Sequence, residues 1–276
     1  MKQSLLRFLR TMKLLSLMEF ARGAVLRVRW GAANRAFTRE HPAVQLPPAR
    51  LMLDPYGIPD YREYWDSGRS TAQRIAELAT LMLHELSGRP MRILDWGCGP
   101  ARVARHLVAQ RGLEGSVISA CDYDVDTVEW ARSSIKGVSF FSNRLNPPLP
   151  FSDEAFDLIY GISIFTHLSA ELHAVWINEL YRVLAQGGLL LLTFQGSHYR
   201  PKLLQNEVEV FDAGRIVIRG RFEEGKRLFC AFHPEPFVRG LFDQRFEKFT
   251  FFRGDVGSIA PPQDTVVVKK KTALQG

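Results

Sequence analysis

The sequence predicts an α/β fold, a doubly wound and mostly parallel sheet with an N-terminal helical extension and a β-hairpin insertion. Three observations carry this. Arg92-Ile93-Leu94-Asp95-Trp96-Gly97-Cys98-Gly99-Pro100-Ala101-Arg102 reads as a buried strand that ends in an acid and breaks into a glycine turn. The turn opens a helix, because Val103, Ala104, Leu107 and Val108 recur at helical spacing. Ser116–Cys121 is a second apolar strand closed by Asp122, with a helical pattern after it through Asp126, Val128, Trp130 and Ala131. Phe156–Phe165 is a nearly continuous apolar run, as expected of a strand covered by helices on both faces.

Residues 1–40 hold nine Lys or Arg against Glu19 and Glu40, a surplus equal to the formal +7 of the whole chain, so residues 41–276 balance. Leu5, Phe8, Leu9, Met12 and Leu15 share a helical face, with Arg7 and Arg10 opposite. Such a basic amphipathic helix rests either on an anionic membrane surface, through residues 1–30, or on its own domain. Its apolar run is too short for a spanning helix or a cleaved signal peptide. A cytoplasmic protein, with any membrane contact peripheral at the inner face, is the expectation. His41–Pro59, with Pro42, Pro47, Pro48, Pro55 and Pro59, reads as a helix-free linker. Tyr61–Gly68, ahead of the next helix, is crowded with aromatic and hydrogen-bonding groups; Tyr64, Gly68 and, just beyond, Arg69 are pocket candidates, with aromatics packed under a loop as the alternative. A helix then starts at Ser70 or Thr71 and runs through Ile75, Leu78, Ala79, Met82, Leu83 and Leu86 to Gly88.

Two chemistries use a strand–glycine–helix turn. The dinucleotide pattern GxGxxG has Arg102 where its third glycine belongs. The alternative is acid-x-Gly-x-Gly, in which Asp95 accepts from a ligand ammonium while the amides of Gly97, Cys98 and Gly99 line the ligand's amino-acid end. S-adenosylmethionine carries that ammonium. A plain tight turn is the bland reading. Asp122, at the tip of the next strand, is placed to accept both ribose hydroxyls, and Tyr123 to lie on the adenine. Helix N-capping is the alternative for Asp122 and Asp124, and it suits Asp124 better.

At the carboxyl end of the Phe156–Phe165 strand, Gly161, Ile162 and Ser163 should approach the cofactor, with Thr166 and His167 toward the transfer path. Asp157, at the other end, is structural. Trp176, Ile177, Leu180, Val183 and Leu184 have core spacing on a helix, and Gly187-Gly188 turns into a strand over Leu189–Phe194. Glu207–Arg219 predicts a hairpin, its arms Glu209-Val210-Phe211 and Arg215–Ile218 joined by Asp212-Ala213-Gly214. A strand over Leu228–Phe232, a short helix over Pro236–Phe242 and a closing antiparallel pair, Phe246–Phe252 and Thr265–Val268, complete the chain.

Over roughly residues 60–270 the chain resembles the class I S-adenosylmethionine-dependent methyltransferases. ILDWGCGPAR is similar to their first motif, ACDYDVDTVEWAR to their second, LPFSDEAFDLIYGISIFTHLS to the fourth-strand segment and YRVLAQGGLLLLTFQG to the helix, turn and fifth strand. The pairing of DWGCGP with SIFTHL and a late Gln263-Asp264 resembles a bacterial subgroup associated with glycan and envelope biosynthesis. Ala101 departs from the pattern, standing where many members have glycine. The resemblance implies a seven-stranded, Rossmann-like sheet with an antiparallel last strand, S-adenosyl-L-methionine as cofactor and Asn143 as its adenine-edge ligand. It divides the chain into an extension and linker, 1–59, and one domain, 60–276, whose cofactor half ends at 196 and whose acceptor side is 197–276.

A catalytic region without net positive charge argues against nucleic acid as acceptor. The acceptor expected is a small molecule or glycan-type compound, methylated at oxygen. Methyl transfer needs alignment and, for a hydroxyl, a base; His167 and His198 follow strands four and five, with His233 behind them. Packing or surface roles are the bland reading of each. Cys98, Cys121 and Cys230 form no CxxC, and no metal cluster is expected. The rival readings are a nicotinamide oxidoreductase and a cofactor-binding scaffold without transfer activity.

Overall fold

The computed structural model describes residues 14–83, 89–254 and 257–272, so Leu5, Phe8, Leu9 and Met12 of the predicted amphipathic face, and Leu86 and Gly88, lie outside the described residues. The chain divides into two compact units, Met1–Asp66 and Ser67–Gly276.

In the first unit, α1 (Leu14–Glu40) is followed by α2 (Ala49–Tyr56), and α3 (Tyr61–Met82) begins. Two sequence expectations fail here. The proline-rich passage contains α2: Pro48 precedes it at φ −53°, already suited to a helix start, Pro55 falls near its end, and Leu51 and Met52 bury beneath it. The aromatic stretch 61–68 is helix, not loop, because α3 starts well before Ser70. Asp60 supplies the missed cap, its Oδ1 accepting from the amides of Arg62 and Glu63 at 3.0 and 3.2 Å. Asn34 ties the turn to α1: its Nδ2 donates to the Pro59 carbonyl at 2.7 Å and its Oδ1 accepts from the Tyr61 amide at 3.0 Å.

The second unit continues with β1 (Arg92–Trp96), α4 (Ala104–Leu107), β2 (Val117–Asp122), α5 (Val125–Ser134), β3 (Val138–Ser142), β4 (Phe156–Gly161), α6 (Ala170–Val183) and β5 (Leu184–Phe194). It closes with α7 (Gln205–Asp212), β6 (Val217–Arg219), β7 (Cys230–Phe232), α8 (Glu235–Gly240), β8 (Phe246–Phe252) and β9 (Asp264–Lys270). Seven strands form one sheet in the order β3-β2-β1-β4-β5-β9-β8. The first five run parallel, and β9 runs antiparallel to both its neighbours, β5 and β8, so that β8 has the direction of the first five. Strand order reverses between β1 and β4, the switch point where open α/β sheets leave a crevice.

Alternation along the strands divides the core. Ile93, Ile118, Leu158 and Leu189 face one side, under Ile75 and Ala79 of α3 and Leu107 of α4. Leu94, Cys121, Ile159 and Leu190 face the other, under Trp176, Ile177 and Leu180 of α6. Asp157 is structural as expected: at the far end of β4 it accepts from the Arg92 amide at 2.9 Å and from the Arg92 guanidinium at 2.9 and 3.1 Å.

Two local readings need correction. Gly187-Gly188 is not a turn before the strand; β5 already pairs at Leu184 with Phe156, and its register jumps so that Leu189 pairs with Leu158. The glycines form an irregularity inside one strand, where Gly187 takes φ +72°. The predicted hairpin arm Glu209-Val210-Phe211 is helical, part of α7. The Glu207 carboxylate accepts from the Leu204 amide at 2.8 Å at the helix start, and Gly214 at φ +76° ends it. Asp-Ala-Gly suits either a hairpin turn or a helix stop. The real two-stranded sheet is β6 with β7, Val217 opposite Phe232, packed on Phe211.

Candidate functional site

The turn after β1 is shaped by packing as much as by any ligand. Gly97 takes φ +74°, and a Cβ there would lie 2.1 Å from the Ile164 Cδ1, so only glycine fits. Gly99 takes φ +51° and Ala101 φ +55°; an alanine at positive φ stores backbone strain that a glycine there would avoid. The expectation that these amides face a ligand is not met. Those of Gly97 and Cys98 donate to the Cys121 carbonyl at 2.9 and 3.0 Å, and that of Gly99 donates to Asp122 Oδ2 at 2.8 Å. The turn therefore grips β2 and orients its terminal acid.

Asp122 is buried and held at both oxygens, its Oδ1 accepting from the Asp124 amide at 2.9 Å. Burial raises its pKa, and the Asp124 and Gly99 amides act against that rise. Asp124 takes the cap role, accepting from the Thr127 amide at 3.1 Å. Asp95 is 4% exposed, and burial pushes its carboxyl up to about 7. The adjacent Tyr160 hydroxyl, short of full hydrogen-bond geometry, and the Arg102 charge oppose that rise.

One cleft opens beside these strand tips. Of the residues singled out in sequence, Gly97, Asp122, Tyr123, Asn143 and His167 line it. Ile164, Leu145 and Trp176 supply apolar wall, and Gly225 reaches it from the segment before β7. Asn143 Nδ2 donates to the Arg144 carbonyl at 2.6 Å, whereas its buried Oδ1 has no partner. The Tyr123 hydroxyl donates to the Gly225 carbonyl at 3.0 Å, and Lys226 Nζ lies 5.0 Å over the Tyr123 ring. The Gly225 amide in turn donates to the His167 carbonyl at 2.9 Å. His167 Nδ1 lies 2.8 Å from the Phe229 carbonyl, which makes Nδ1 the donor and leaves the lone pair on Nε2.

The other sequence candidates lie elsewhere. Asp95, Cys98 and Gly99 stand behind the lining, and the Cys98 thiol is buried with its pKa raised well above the usual value by that burial. Gly161 lies under Trp96, whose ring carbon would be 2.6 Å from a Cβ there. Ser163, at φ +63°, belongs to a polar chain: its amide donates to Thr193 Oγ1 at 2.8 Å and its Oγ accepts from Gln263 Nε2 at 2.7 Å. Ile162, between them, is half-buried against the core. His198 is exposed on the turn after β5, edge-on to Tyr199. His233 is not on a transfer path: it is fully buried, its Nε2 2.9 Å from that of His173, and burial holds both rings neutral. Tyr64 packs edge-on against Tyr56, and Gly68 fits α3 against the Arg102 carbonyl; neither lines the cleft. Sequence reasoning missed Gly225, from a stretch with no periodic signal, and read Phe229 only as part of the strand over Leu228–Phe232, not as the partner of His167. Among the described residues no cluster of His, Cys, Asp and Glu could hold a metal ion.

Comparison with known proteins agrees with this frame. Residues 93–188 match the family described as a methyltransferase domain. A tRNA N(3)-cytidine methyltransferase of Gallus gallus is 27% identical over 150 residues, 52% of this chain and 40% of the relative. Squalene methyltransferase 1 of Botryococcus braunii is 30% identical over 141 residues, 47% of this chain and 37% of the relative. The chain thus spans about two fifths of the length of these curated relatives. An S-adenosylmethionine-dependent methyltransferase of Methanosarcina mazei shares the fold with TM-score 0.50 and 20% identity, over 68% of this chain and 96% of that one. A Pyrococcus horikoshii protein does so with TM-score 0.51 and 18% identity, over 71% and 89%. Residues 93–188 thus carry a methyltransferase domain, set at the centre of a β3-β2-β1-β4-β5-β9-β8 sheet whose fold is shared with the Methanosarcina mazei S-adenosylmethionine-dependent methyltransferase.

Proposed function

We propose that this protein transfers the methyl group of S-adenosyl-L-methionine to the oxygen of a small-molecule or glycan-type acceptor. The observation that carries the cofactor placement is the pair of waiting acceptors in one cleft. Asp122 has both oxygens fixed by backbone amides with lone pairs to spare, as a ribose diol requires, and Asn143 presents a buried, unpartnered Oδ1 to an adenine amine. Tyr123 offers a ring face anchored at its hydroxyl. Asp95, behind the turn, takes the ammonium. The cofactor supplies an electrophilic methyl and its own leaving group, so the chain's part is alignment and handling of the acceptor proton. His167 is the base, because its Nδ1 contact leaves the lone pair on Nε2; His198, exposed beyond β5, is the second candidate.

The charge distribution supports a non-nucleic acceptor. The basic surplus is confined to residues 1–40, and the remainder balances. The relatives act, by their names, on tRNA, squalene and sterols, so they support methyl transfer and leave the acceptor to experiment. A cytoplasmic enzyme with peripheral membrane contact through its N-terminal residues completes the reading; among the described residues no helix is long and apolar enough to cross a membrane. The test is incubation with methyl-labelled cofactor and fractionated extract. A labelled small molecule or glycan supports the proposal, and label confined to RNA or recovered nowhere defeats it.

A further inference from the structure

The N-terminal unit carries a charged groove lined wholly by its own residues. Arg27, Arg35 and Arg39 of α1 border it, Gly31 lies within it, and Pro59 and Tyr61 form its far side. The three arginines are spaced i, i+8 and i+12, which places them within about 120° of helix surface. The Arg35 guanidinium reaches back along the helix, so that a Cβ on Gly31 would lie 3.3 Å from its Nη1. Among the described residues none of the three has an ion-pair partner, in contrast to Arg62, which is bound to Glu40 at 2.5 Å. Three guanidinium groups around one groove repel each other until an anion enters, and phosphate oxygens match their donor geometry.

A second observation selects the source of the phosphate. Val25 and Val28 are 66% and 83% exposed, on the side of α1 opposite buried Phe37. Exposed Ala32 and Ala36 continue that line at helical spacing. Exposed aliphatic side chains beside guanidinium groups suit the boundary between lipid headgroups and acyl chains, whereas a nucleic-acid backbone offers them nothing to bury against. We propose that α1 docks on an anionic phospholipid surface, with lipid phosphates in the Arg27–Arg35–Arg39 groove and Val25 and Val28 entering the boundary beside it. This rests on the peripheral-contact part of the reading above, and it assigns that contact to residues 25–39.

The test is co-sedimentation of the full chain with phosphatidylcholine vesicles, with and without phosphatidylglycerol. The full chain should pellet with the phosphatidylglycerol vesicles and stay in solution with phosphatidylcholine alone. Replacing Arg27, Arg35 and Arg39 together by Gln should weaken vesicle binding about a hundredfold, at about fivefold per arginine near the surface. V25S/V28S should weaken it with all charges kept. Both variants change exposed side chains, and unchanged S-adenosylmethionine affinity in each reports an intact fold; failure of the methyltransferase reading would instead appear as no cofactor binding by any form. Vesicle binding by the triple variant equal to that of the unaltered chain overturns the proposal. So does binding of a single-stranded RNA, with loss in the triple variant, by a chain that ignores phosphatidylglycerol vesicles. Dimerisation of the unaltered chain that V25S/V28S abolishes, without vesicle binding, also overturns it and assigns the stripe to a second copy.

Discussion

Asp95 yields the sharpest prediction. Its carboxyl is buried and pushed up to about 7, so near neutral pH it is a mixture of protonated and ionised forms. A cofactor ammonium beside it requires the ionised form, hence binding releases a proton and affinity falls as pH falls. With a free-state pKa of about 7 and an ionised bound state, Kd scales as one plus ten to the power pKa minus pH. It should therefore rise about eightfold from pH 7.5 to pH 6.0, or roughly 1.2 kcal/mol. Calorimetry at both pH values, in two buffers of different ionisation enthalpy, reads affinity and proton release together. Asp95→Asn should weaken binding by about 1–3 kcal/mol, flatten the pH response and abolish the proton release. The sign for stability is opposite. An acid whose folded pKa is raised stabilises the fold below its unfolded value and loses that contribution as pH rises through 4 to 7, so Asp95→Asn should raise the Tm of the cofactor-free protein at pH 7. Equal Kd at pH 7.5 and 6.0 for the unaltered protein would refute the placement of the ammonium at Asp95.

Asp122→Ala should weaken cofactor binding by about 1–3 kcal/mol and also loosen the turn, since the Gly99 amide loses its acceptor; equilibrium binding of S-adenosylhomocysteine measures it, and unchanged affinity counts against the ribose assignment. His167→Ala should lower kcat by about 10²-fold or more at undiminished cofactor affinity, and His198→Ala far less; the reverse order would transfer the proton to His198. Gly97→Ala should destabilise the fold by about 1–3 kcal/mol from positive φ and the clash with Ile164, and Ile164→Ala in the same chain should recover the steric part in a thermal melt. Asp157, whose pKa is lowered although burial opposes it because the Arg92 side chain and amide bind it, contributes stability above the unfolded acid range that is lost as pH falls through its folded value. Asp157→Asn should cancel that acid-side loss in denaturant titrations.

Local signals carried the sheet because they are backbone signals. Ile93–Trp96 and Val117–Asp122 are apolar runs that end in acids, and only a strand buried on both faces uses such runs economically; their order and the later Gly161 put both acids at one edge. That Asp122 and Tyr123 fall on one cleft was legible for the same reason, both standing at the tip of a strand whose end the sequence marks, whereas Asn143 came only from the family resemblance. Where a local pattern was ambiguous, tertiary contact decided. Asp212-Ala213-Gly214 closes α7 because Glu207 binds both the Leu204 amide and Arg219, a partner twelve residues away. The early start of α3 followed from Asp60, an unremarked cap hidden among prolines.

By itself the sequence determined the parallel sheet, the position of the glycine turn and the two acids at successive strand tips, because period, turn chemistry and chain order are local properties. Only the tertiary structure decided what those groups face. It bonded the turn amides to β2 rather than to a ligand, drew Gly225 and Phe229 across to Tyr123 and His167, and buried His233 against His173. The physical reason is that a hydrogen bond or a desolvated charge depends on which atoms arrive within about 3 Å, and residues as far apart in sequence as Tyr123 and Gly225 meet only once the whole sheet has closed.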